Sequence, residues 1–412
     1  RDRSNLAGSE TLAHSGTAST SSANAGSYTI NNLSGISISN GTGTASNYTL
    51  TGGTHSFTIA ERIISVNGTR LYDATSNAEA SDLSTQTNLV GSQTLVLSGT
   101  GIIASRDVES NKTVSVGTLT LADGSNGGLA ANYTLSGGTH QLTVTQRPLN
   151  SSGSKTYDSN TDALANAITL SNLAGGETLV HSGTATTSSA NANSYTINNL
   201  AGIGISNGTG TASNYTLTGG THSFTINKRV VSLSGGSRQY NGSATAIAAD
   251  LPTINNLVGS ETLTLSGNGV VENANVGDNK PLTNLSGLTL QNGSNGGLAA
   301  NYTLSGGSSI ISITPRILTL DGSRVYDGTT NSNSSDLTMT NLVGSETLSL
   351  SGFGTVASGN IGINKTISLN TLSLSNGSGS ASNYTLIGGT HTYDVTSRTV
   401  TYSGTKVYDG AT

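Results

Sequence analysis

Short segments in which apolar and polar residues alternate recur along the whole chain. In "KTISLNTLSLS", residues 365–375, Ile367 and Leu369 alternate with polar residues, and Leu372 and Leu374 do so again. A period of two is typical of a β-strand with one buried face. No segment combines a helical period with capping residues. The pattern therefore predicts an all-β protein built from strands of about five residues.

Glycine and asparagine separate these segments. "ASNYTLTGGTHSFTI" stands at residues 45–59 and again at 212–226, with a Gly-Gly pair between two strand-like stretches. Glycine reaches the positive φ angles that tight reversals need. Asn-Gly pairs such as Asn376-Gly377 favour hairpin turns. The sequence thus predicts short strands joined by turns.

Three sequence markers return with one spacing of about 84 residues. "NLxGxxTL" begins at Asn5, Asn88, Asn172, Asn256 and Asn341. Asn-Tyr-Thr-Leu carries Tyr48, Tyr133, Tyr215, Tyr302 and Tyr384. Tyr followed by Asp or Asn occurs at Tyr72, Tyr157, Tyr240, Tyr326 and Tyr408. A period of this length matches a small independent domain rather than one coil of a solenoid.

Arginine marks the boundaries between these units. One arginine follows the last alternating segment of each unit, at Arg62, Arg147, Arg229, Arg316 and Arg398. We predict complete repeats at residues 62–146, 147–228, 229–315 and 316–397. Residues 1–61 are expected to be a partial repeat without its first strand, and residues 398–412 the start of a further repeat. Each unit is predicted to be a small Ig-like β-sandwich, and the tandem array an elongated stalk or fibre.

Composition narrows the function classes. Charged residues are only 9% of the chain and the net charge is −5, so an electrostatic nucleic-acid interface is not expected. Cysteine is absent, which removes disulfides and thiolate metal sites. No apolar run approaches the ~20 residues of a membrane helix. The opening "RDRSNLAGSE" is not a signal peptide, so we expect targeting signals elsewhere in a longer protein.

The recurring tyrosines are interpreted as structural. With Tyr 14, Phe 3 and Trp 0, tyrosine has to supply most aromatic burial. We expect each Asn-Tyr-Thr-Leu tyrosine to be a core piece or an edge anchor whose hydroxyl bonds nearby backbone. A platform for stacking sugars is the alternative.

The recurring charges are expected at the joints. We predict that each boundary arginine meets a nearby carboxylate or backbone carbonyls, which fixes orientation more than stability. Calcium at the joints is an alternative for the carboxylates, although no dense acidic cluster or EF-hand pattern is present. The histidines after the Gly-Gly turn are expected to be polar strand-start residues, because Ser309 replaces one of them.

Catalytic motifs were not found. The chain has no "HExxH", no phosphate-binding loop, no "GxSxG" and no cysteine nucleophile. We therefore expect no enzyme activity and no cofactor.

"SRVYDGTTNS", "TKVYDGAT" and "NLVGSETLSLSG" resemble the YDG-type repeats of large bacterial surface adhesins of the filamentous-haemagglutinin class. Other units depart from the triplet, for example Tyr157-Asp158-Ser159 and Tyr240-Asn241-Gly242, which is compatible with a turn but not with required chemistry. The resemblance implies secretion through a partner outer-membrane pore and a place at the bacterial cell surface or in the extracellular matrix.

The function expected from this resemblance is a stalk or fibre segment that gives an adhesin reach and cohesion in attachment or biofilm. Its partners would be neighbouring repeats, other copies of the chain in a filament, and extracellular polysaccharide. A chain that starts and stops inside a repeat is also a candidate for donating a strand to the next copy. The alternative is a surface receptor made of repeated carbohydrate-binding modules.

Overall fold

The computed structural model describes residues 5–197, 199–305 and 309–412. Within these ranges the ordered elements are β-strands and three-residue 3-10 helices, and no α-helix occurs. The predicted all-β class and the tandem repeat are confirmed, with curled, sandwich-like sheets. No helix in the described ranges has the length and apolar character needed to cross a membrane.

Residues 5–61, the described part of the predicted partial repeat, contain four strands and one 3-10 helix. These are β1 (Leu12–Gly16), β2 (Gly26–Thr29), β3 (Ile36–Asn40), the 3-10 helix Ala45–Asn47 and β4 (Ser56–Ile59).

The first predicted complete repeat, residues 62–146, contains ten strands, and the described residues of the second, 147–228, contain nine. The first has β5 (Arg62–Ile63), β6 (Ser65–Leu71), β7 (Asn77–Glu79), β8 (Thr85–Thr87), β9 (Leu95–Ser98), β10 (Thr100–Ile103), β11 (Glu109–Ser115), β12 (Thr120–Asp123), β13 (Tyr133–Thr134) and β14 (Gln141–Thr145), with 3-10 helices at Ala80–Asp82 and Ala130–Asn132. The second has β15 (Arg147–Pro148), β16 (Asn150–Thr156), β17 (Asp162–Leu164), β18 (Ile168–Ser171), β19 (Leu179–Thr186), β20 (Asn193–Thr196), β21 (Ile203–Asn207), β22 (Tyr215–Thr216) and β23 (His222–Asn227), with 3-10 helices at Ala165–Ala167 and Ala212–Asn214.

The third and fourth predicted complete repeats, residues 229–315 and 316–397, have similar orders of elements, with nine strands in the described residues of the third and ten in the fourth. The third has β24 (Arg229–Ser234), β25 (Gly236–Gln239), β26 (Thr245–Ile247), β27 (Thr253–Asn255), β28 (Leu263–Val271), β29 (Gly277–Asn284), β30 (Leu288–Asn292), β31 (Tyr302–Leu304) and β32 (Ile310–Thr314), with 3-10 helices at Ala248–Asp250 and Ala299–Asn301. The fourth has β33 (Arg316–Ile317), β34 (Thr319–Val325), β35 (Asn331–Asn333), β36 (Leu337–Thr340), β37 (Leu348–Ser351), β38 (Phe353–Val356), β39 (Gly362–Ser368), β40 (Ser373–Asn376), β41 (Tyr384–Thr385) and β42 (His391–Thr396), with 3-10 helices at Ser334–Asp336 and Ala381–Asn383.

The first and fourth complete repeats have the same sheet topology. Six strands run in the order β7-β10-β11-β14-β6-β8 in the first and β35-β38-β39-β42-β34-β36 in the fourth. The first and last long strands of a repeat lie side by side and parallel, as β6 with β14 and β34 with β42. Every other pair in these two sheets is antiparallel. The first and last long strands of one repeat therefore pair with each other within the same sheet.

Alternating burial along the last strand shows why this pairing is stable. In β14, Leu142 and Val144 are buried at 0% and 1% exposure, while the polar residues between them are half-buried. Burying an aliphatic side chain of this size contributes about 1.5–3 kcal/mol. The parallel strand β6 beside β14 brings Val66 into the same core, together with Ile64, which lies just before β6, and both are 0% exposed.

The chain divides into two compact units. One comprises Arg1–Gly153, Leu164–Thr186 and Thr196–Ser223, and the other Ser154–Ala163, Thr187–Tyr195 and Phe224–Thr412. Each unit has its own apolar core, which includes Leu142 and Tyr215 in the first and Leu233 and Tyr393 in the second. The division passes through residues 147–228, so that repeat contributes to both units.

Candidate functional site at the joints between repeats

A buried hydrogen-bonded group joins the first complete repeat to the second. Tyr72, which follows β6, is fully buried, and its hydroxyl donates to Glu177 Oε1 over 2.9 Å. The hydroxyl of Tyr215 donates to Oε2 of the same carboxylate over 2.7 Å. The two rings meet edge to face, with centroids 5.4 Å apart and planes at 78°. One carboxylate therefore connects tyrosines from two successive repeats.

The next two joints have the same geometry. Glu261 accepts from Tyr157 at 2.7 Å and from Tyr302 at 2.6 Å. Glu346 accepts from Tyr240 and from Tyr384, both at 2.7 Å. The ring centroids are again 5.4 Å apart in both pairs, with interplanar angles of 77° and 76°. We call each set of two tyrosines and one glutamate a joint triad.

The second tyrosine of each triad also accepts a hydrogen bond from a backbone N–H of its own repeat. The hydroxyl of Tyr215 accepts from the Ala174 N–H at 3.1 Å, and Tyr302 and Tyr384 accept in the same way from Val258 and Val343. Burial, reinforced by the Glu177 carboxylate, raises the pKa of Tyr215 to about 12. The triad phenols therefore remain neutral hydrogen-bond donors at neutral pH.

An asparagine makes a second contact across each joint. Asn214 Oδ1 accepts from the Val108 N–H of the preceding repeat at 2.8 Å, and its Nδ2 donates to Asp107 at 2.8 Å. Asn301 and Asn383 are equally buried, at 0% and 1% exposure. The equivalent backbone bonds are Ala25 to Asn132, Ala192 to Asn301 and Val276 to Asn383, at 2.7, 2.8 and 2.9 Å.

Sequence reasoning missed these asparagines. Asparagine precedes the tyrosine in all five copies of Asn-Tyr-Thr-Leu, whereas the residues around the other tyrosine marker vary. No role was assigned to this asparagine from the sequence. The presence of asparagine in all five copies was nevertheless a signal in the sequence. It marks a side chain that accepts a hydrogen bond from the backbone of the preceding repeat.

Two positions show the triad residues without a neighbouring repeat. Tyr326, equivalent to Tyr72, is 39% exposed, although Tyr72, Tyr157 and Tyr240 are exposed by 5% or less. Asn47 is exposed as well. Tyr48 bonds Glu10 within its own partial repeat at 2.5 Å, and Tyr133 bonds Gln93 in the same way. Burial of the first tyrosine thus accompanies the presence of a following repeat.

Four of the five boundary arginines bind the backbone carbonyl and the side chain of an asparagine, so the contact is with a backbone carbonyl and not with a carboxylate. Arg62 Nε donates to Asn88 O over 2.6 Å, and Arg62 Nη2 donates to the Asn88 side chain over 2.7 Å. Arg147, Arg229 and Arg316 bind Asn172, Asn256 and Asn341 in the same bidentate manner.

This placement differs from the contact expected at the joint, because the bonded asparagines belong to the same repeat. Each of them has a φ near +70°, which turns its carbonyl oxygen and its side-chain oxygen toward the guanidinium. Of the backbone carbonyls that the four arginines bind, that of Tyr72, bound by Arg147 at 3.4 Å, lies in the preceding repeat. Arg398 is exposed and lies outside the strands.

The acidic residue after the first tyrosine forms a local turn. Asp327 accepts from the Thr329 N–H at 2.8 Å and pairs with Arg324 at 2.5 Å. Asp158 caps Asn160 in the same way and pairs with Lys155 at 2.8 Å. Asn241 also caps its turn, which explains why aspartate and asparagine are interchangeable here.

The histidines fix the Gly-Gly turn. His391 Nε2 donates to the Leu386 carbonyl at 2.7 Å, and its Nδ1 accepts from the Leu320 N–H at 3.1 Å. Ser309 accepts from the Leu233 N–H at 3.1 Å and donates to Ser305. The second glycine has a steric role, because a Cβ on Gly389 would lie 2.2 Å from the Leu318 carbonyl oxygen.

The structure gives little support for a metal site or a sugar-binding site at the recurring residues. Within the described residues, no group of three His, Cys, Asp or Glu side chains has metal-binding geometry. A cavity of about 710 Å³ near the second repeat's Gly-Gly turn is lined by Thr196, Ile197, Leu217 and neighbours, with no Phe, Tyr or Trp among the described lining residues. The joint tyrosines Tyr72, Tyr215 and Tyr302 are buried and offer no face for stacking on a sugar.

A protein-family comparison identified the repeats. The model of the YDG domain matches residues 59–141, 227–309 and 312–395, more than half of the chain. A comparison with curated proteins found no match. Among solved structures, the chain is similar to the N-terminal eight Ig domains of Down Syndrome Cell Adhesion Molecule isoform 1.30.30, at 11% identity and a TM-score of 0.14. That alignment covers 84% of this chain and spans 58% of the solved one.

Proposed function

The chain belongs to the YDG domain family, and we propose that it is a structural stalk segment of an extracellular bacterial adhesin. The segment would give the adhesin reach and contribute cohesion in attachment or biofilm. The adhesin would be of the filamentous-haemagglutinin class and would reach the cell surface or matrix by secretion.

The observation that carries this proposal is the joint triad. Three successive joints use equivalent residues with ring-centroid distances of 5.4 Å in each. A catalytic site is needed once, whereas a mechanical connection is needed wherever a repeat meets the next. We therefore assign these residues a connecting role, without catalysis and without a cofactor.

The chemistry of the triad suits a connection that holds orientation. An ionised carboxylate accepting two phenol hydrogens makes charge-assisted bonds, which are about twice as strong as neutral ones. The edge-to-face ring pair contributes about 0.5–1.5 kcal/mol beyond its burial. Each joint thus combines directional bonds with apolar contact.

Small-angle scattering of the purified chain tests the proposal. A single compact domain of this length would have a radius of gyration of about 22 Å. A stalk predicts a value about twice that or larger, measured at infinite dilution. A value near that of a compact globule would overturn the proposal.

A glycan array tests the receptor alternative on the same sample. The stalk function predicts no sugar bound above background by the repeats. Saturable binding of one sugar by the repeats would show that they are receptors.

A further inference from the structure

One Asn-Gly pair lies in an exposed turn at a joint between repeats. Asn241-Gly242 stands between β25 and β26, and both residues are exposed. Asn241 directly follows Tyr240, which belongs to the joint triad of the third and fourth complete repeats. A Cβ on Gly242 would lie 2.8 Å from the Val343 side chain of the fourth repeat. A chemical change in this turn would therefore occur at a joint.

Asparagine followed by glycine is a reactive pair. The backbone nitrogen of the glycine can attack the side-chain amide carbon of the asparagine, because glycine has no side chain to hinder the approach. The attack is favoured where the glycine N–H makes no hydrogen bond and the asparagine side chain lies back along the chain. Hydrogen-bond donors on the amide oxygen stabilise the negative charge that develops there.

The turn at Asn241 meets these conditions. Asn241 Oδ1 accepts from the Ser243 N–H at 3.0 Å, which folds the side chain back along Gly242. Arg238 Nη1 donates to the same oxygen. The Gly242 N–H donates to no group in the described part of the chain. The turn therefore combines an available nucleophile with two donors on the oxygen that becomes negative.

Arg238 is held in position by the fold. Its side chain is 7% exposed, and its Nε lies 3.8 Å from an oxygen of Asp250. Its Nη2 donates to the Ser243 carbonyl at 2.5 Å. A guanidinium that is already oriented needs no rearrangement when negative charge forms beside it.

The other eight Asn-Gly pairs of the chain lack this combination. In four of them the glycine N–H donates to a glycine carbonyl at 3.0–3.1 Å: Asn40, Asn207, Asn292 and Asn376. In two, the asparagine Nδ2 donates at 2.9 Å to a distant serine carbonyl: Asn126 and Asn295. The last two lie inside strands β6 and β28: Asn67 and Asn268.

We propose that Asn241 is a deamidation site, which the folded chain converts to aspartate with the assistance of Arg238 and the Ser243 N–H. The Gly242 nitrogen forms a bond to Cγ of Asn241 and releases its proton to water. The bond from Cγ to Nδ2 breaks, and the nitrogen takes up a proton and leaves as ammonia. Water then adds to Cγ of the succinimide ring, breaks the new C–N bond and restores the Gly242 peptide.

The product resembles the turns of the other complete repeats. There an aspartate occupies the equivalent position and pairs with a basic residue three positions earlier: Asp73, Asp158 and Asp327. Deamidation of Asn241 would give the third repeat the same ion pair, with Arg238. Because both donors act on the Cγ carbonyl, we expect water to attack there and to yield aspartate. Attack at the backbone carbonyl would yield isoaspartate, which lengthens the main chain.

Peptide mapping of the purified chain, incubated in mildly alkaline buffer, tests the proposal. Mass spectrometry measures the deamidation rate at all nine Asn-Gly pairs, in the folded chain and in urea. In the folded chain Asn241 should convert about tenfold faster than any other pair, a small share of what such donors contribute in an enclosed site. In urea the nine rates should become similar, because every pair is then flexible.

Arg238→Met should slow the conversion of Asn241 about tenfold, because it removes one donor from the amide oxygen. Arg70→Met is the matched control, since Arg70 has the equivalent place in the first complete repeat and pairs with Asp73. It should leave the rate at Asn241 unchanged. Circular dichroism checks that both variants fold, and the comparison of the nine pairs in the parent chain needs no variant.

Three results would overturn the proposal. The first is a rate at Asn241 no higher than that of the other pairs in the folded chain. The second is an unchanged rate in folded Arg238→Met. The third is isoaspartate as the main product in the folded chain, identified by peptide fragmentation. Each of these results would leave the proposed stalk function intact, because that function does not depend on the turn chemistry.

Discussion

At the residue scale, the glutamate of a joint triad has a role that its sequence context does not show. Glu346 accepts hydroxyl hydrogens from Tyr240 and Tyr384, and both rings are exposed by only 5%. Removing an acceptor from a buried donor costs the desolvation of that donor, about 1–3 kcal/mol. The two tyrosines depend on one side chain, so its loss affects both repeats.

Glu346→Ala should therefore lower the free energy of unfolding by about 2–4 kcal/mol, because two buried hydroxyls lose their acceptor. Urea unfolding followed by tyrosine fluorescence would measure the change. Gln93→Ala is the matched control, since Gln93 accepts from one tyrosine only in the described structure. Equal losses in the two variants would contradict the shared-acceptor role.

The raised pKa values of the triad tyrosines predict that the protein loses stability in alkali. Burial first, and then the neighbouring carboxylate, raises the pKa values of Tyr157, Tyr302 and Tyr384 to about 12. Unfolded tyrosines ionise near their ordinary value of 10.0, so between pH 10 and 12 the unfolded chain binds fewer protons than the folded one. The contribution of these tyrosines to the free energy of unfolding is fully present below pH 10 and is lost as the pH rises toward 12.

Absorbance of tyrosinate, followed with the melting temperature across this pH range, measures the effect. Tyr302→Phe should remove one late-titrating group and make the decline less steep. Tyr326→Phe serves as the control, because Tyr326 is 39% exposed. If all tyrosines ionised together near pH 10 in the folded protein, the argument would be wrong.

At the element scale, the sequence located strands better than it located their ends. "KTISLNTLSLS" was interpreted as alternating strand, and β39 and β40 lie there. The turn between them at Asn370, with a φ of 41°, leaves Leu369 and Leu372 outside both strands. Leu369 and Leu372 fit the period of two equally well, so alternation alone did not reveal the reversal.

The alternation of apolar and polar residues did not predict which distant strands pair with each other. Parallel pairing of β34 with β42 joins residues about 70 positions apart, and local alternation does not specify which distant strand is the neighbour. The same holds for Tyr72 and Glu177, which meet over 105 residues and across two repeats. The spacing showed that these residues recur, but not which copies of them meet.

The Gly-Gly turn gives a prediction for a whole element. Gly389→Ala would push a methyl group against the Leu318 carbonyl oxygen and separate β42 from the first strand of its repeat. We expect a destabilisation of about 1–3 kcal/mol, as for other overpacked sites, measured by urea unfolding. Gly53→Ala in the same motif should cost less, because only the His55 ring lies within 4 Å. A larger cost at Gly53 would contradict the steric role.

At the scale of the whole molecule, the joints determine whether repeats unfold together. One apolar core contains Leu251 of the third complete repeat and Leu348 of the fourth, together with Tyr240 and Tyr384 of their triad. In a linear array, stability is the sum of each repeat's own stability and the terms between neighbours. The triad therefore contributes to the interaction free energy between these two repeats.

Tyr240→Ala should uncouple the third and fourth complete repeats. It deletes a buried ring and one of the two hydroxyls on Glu346, and truncations of this size cost about 3–5 kcal/mol. Native-state hydrogen exchange should then show separate opening energies for residues 229–315 and 316–397, whereas we expect a shared opening energy in the parent chain. Tyr326→Ala makes the same chemical change at the equivalent position without a described following repeat, so it should leave the shared opening in place. Separate opening energies in both variants would mean that the ring acts within its own repeat, and the connecting role of the triad would fail.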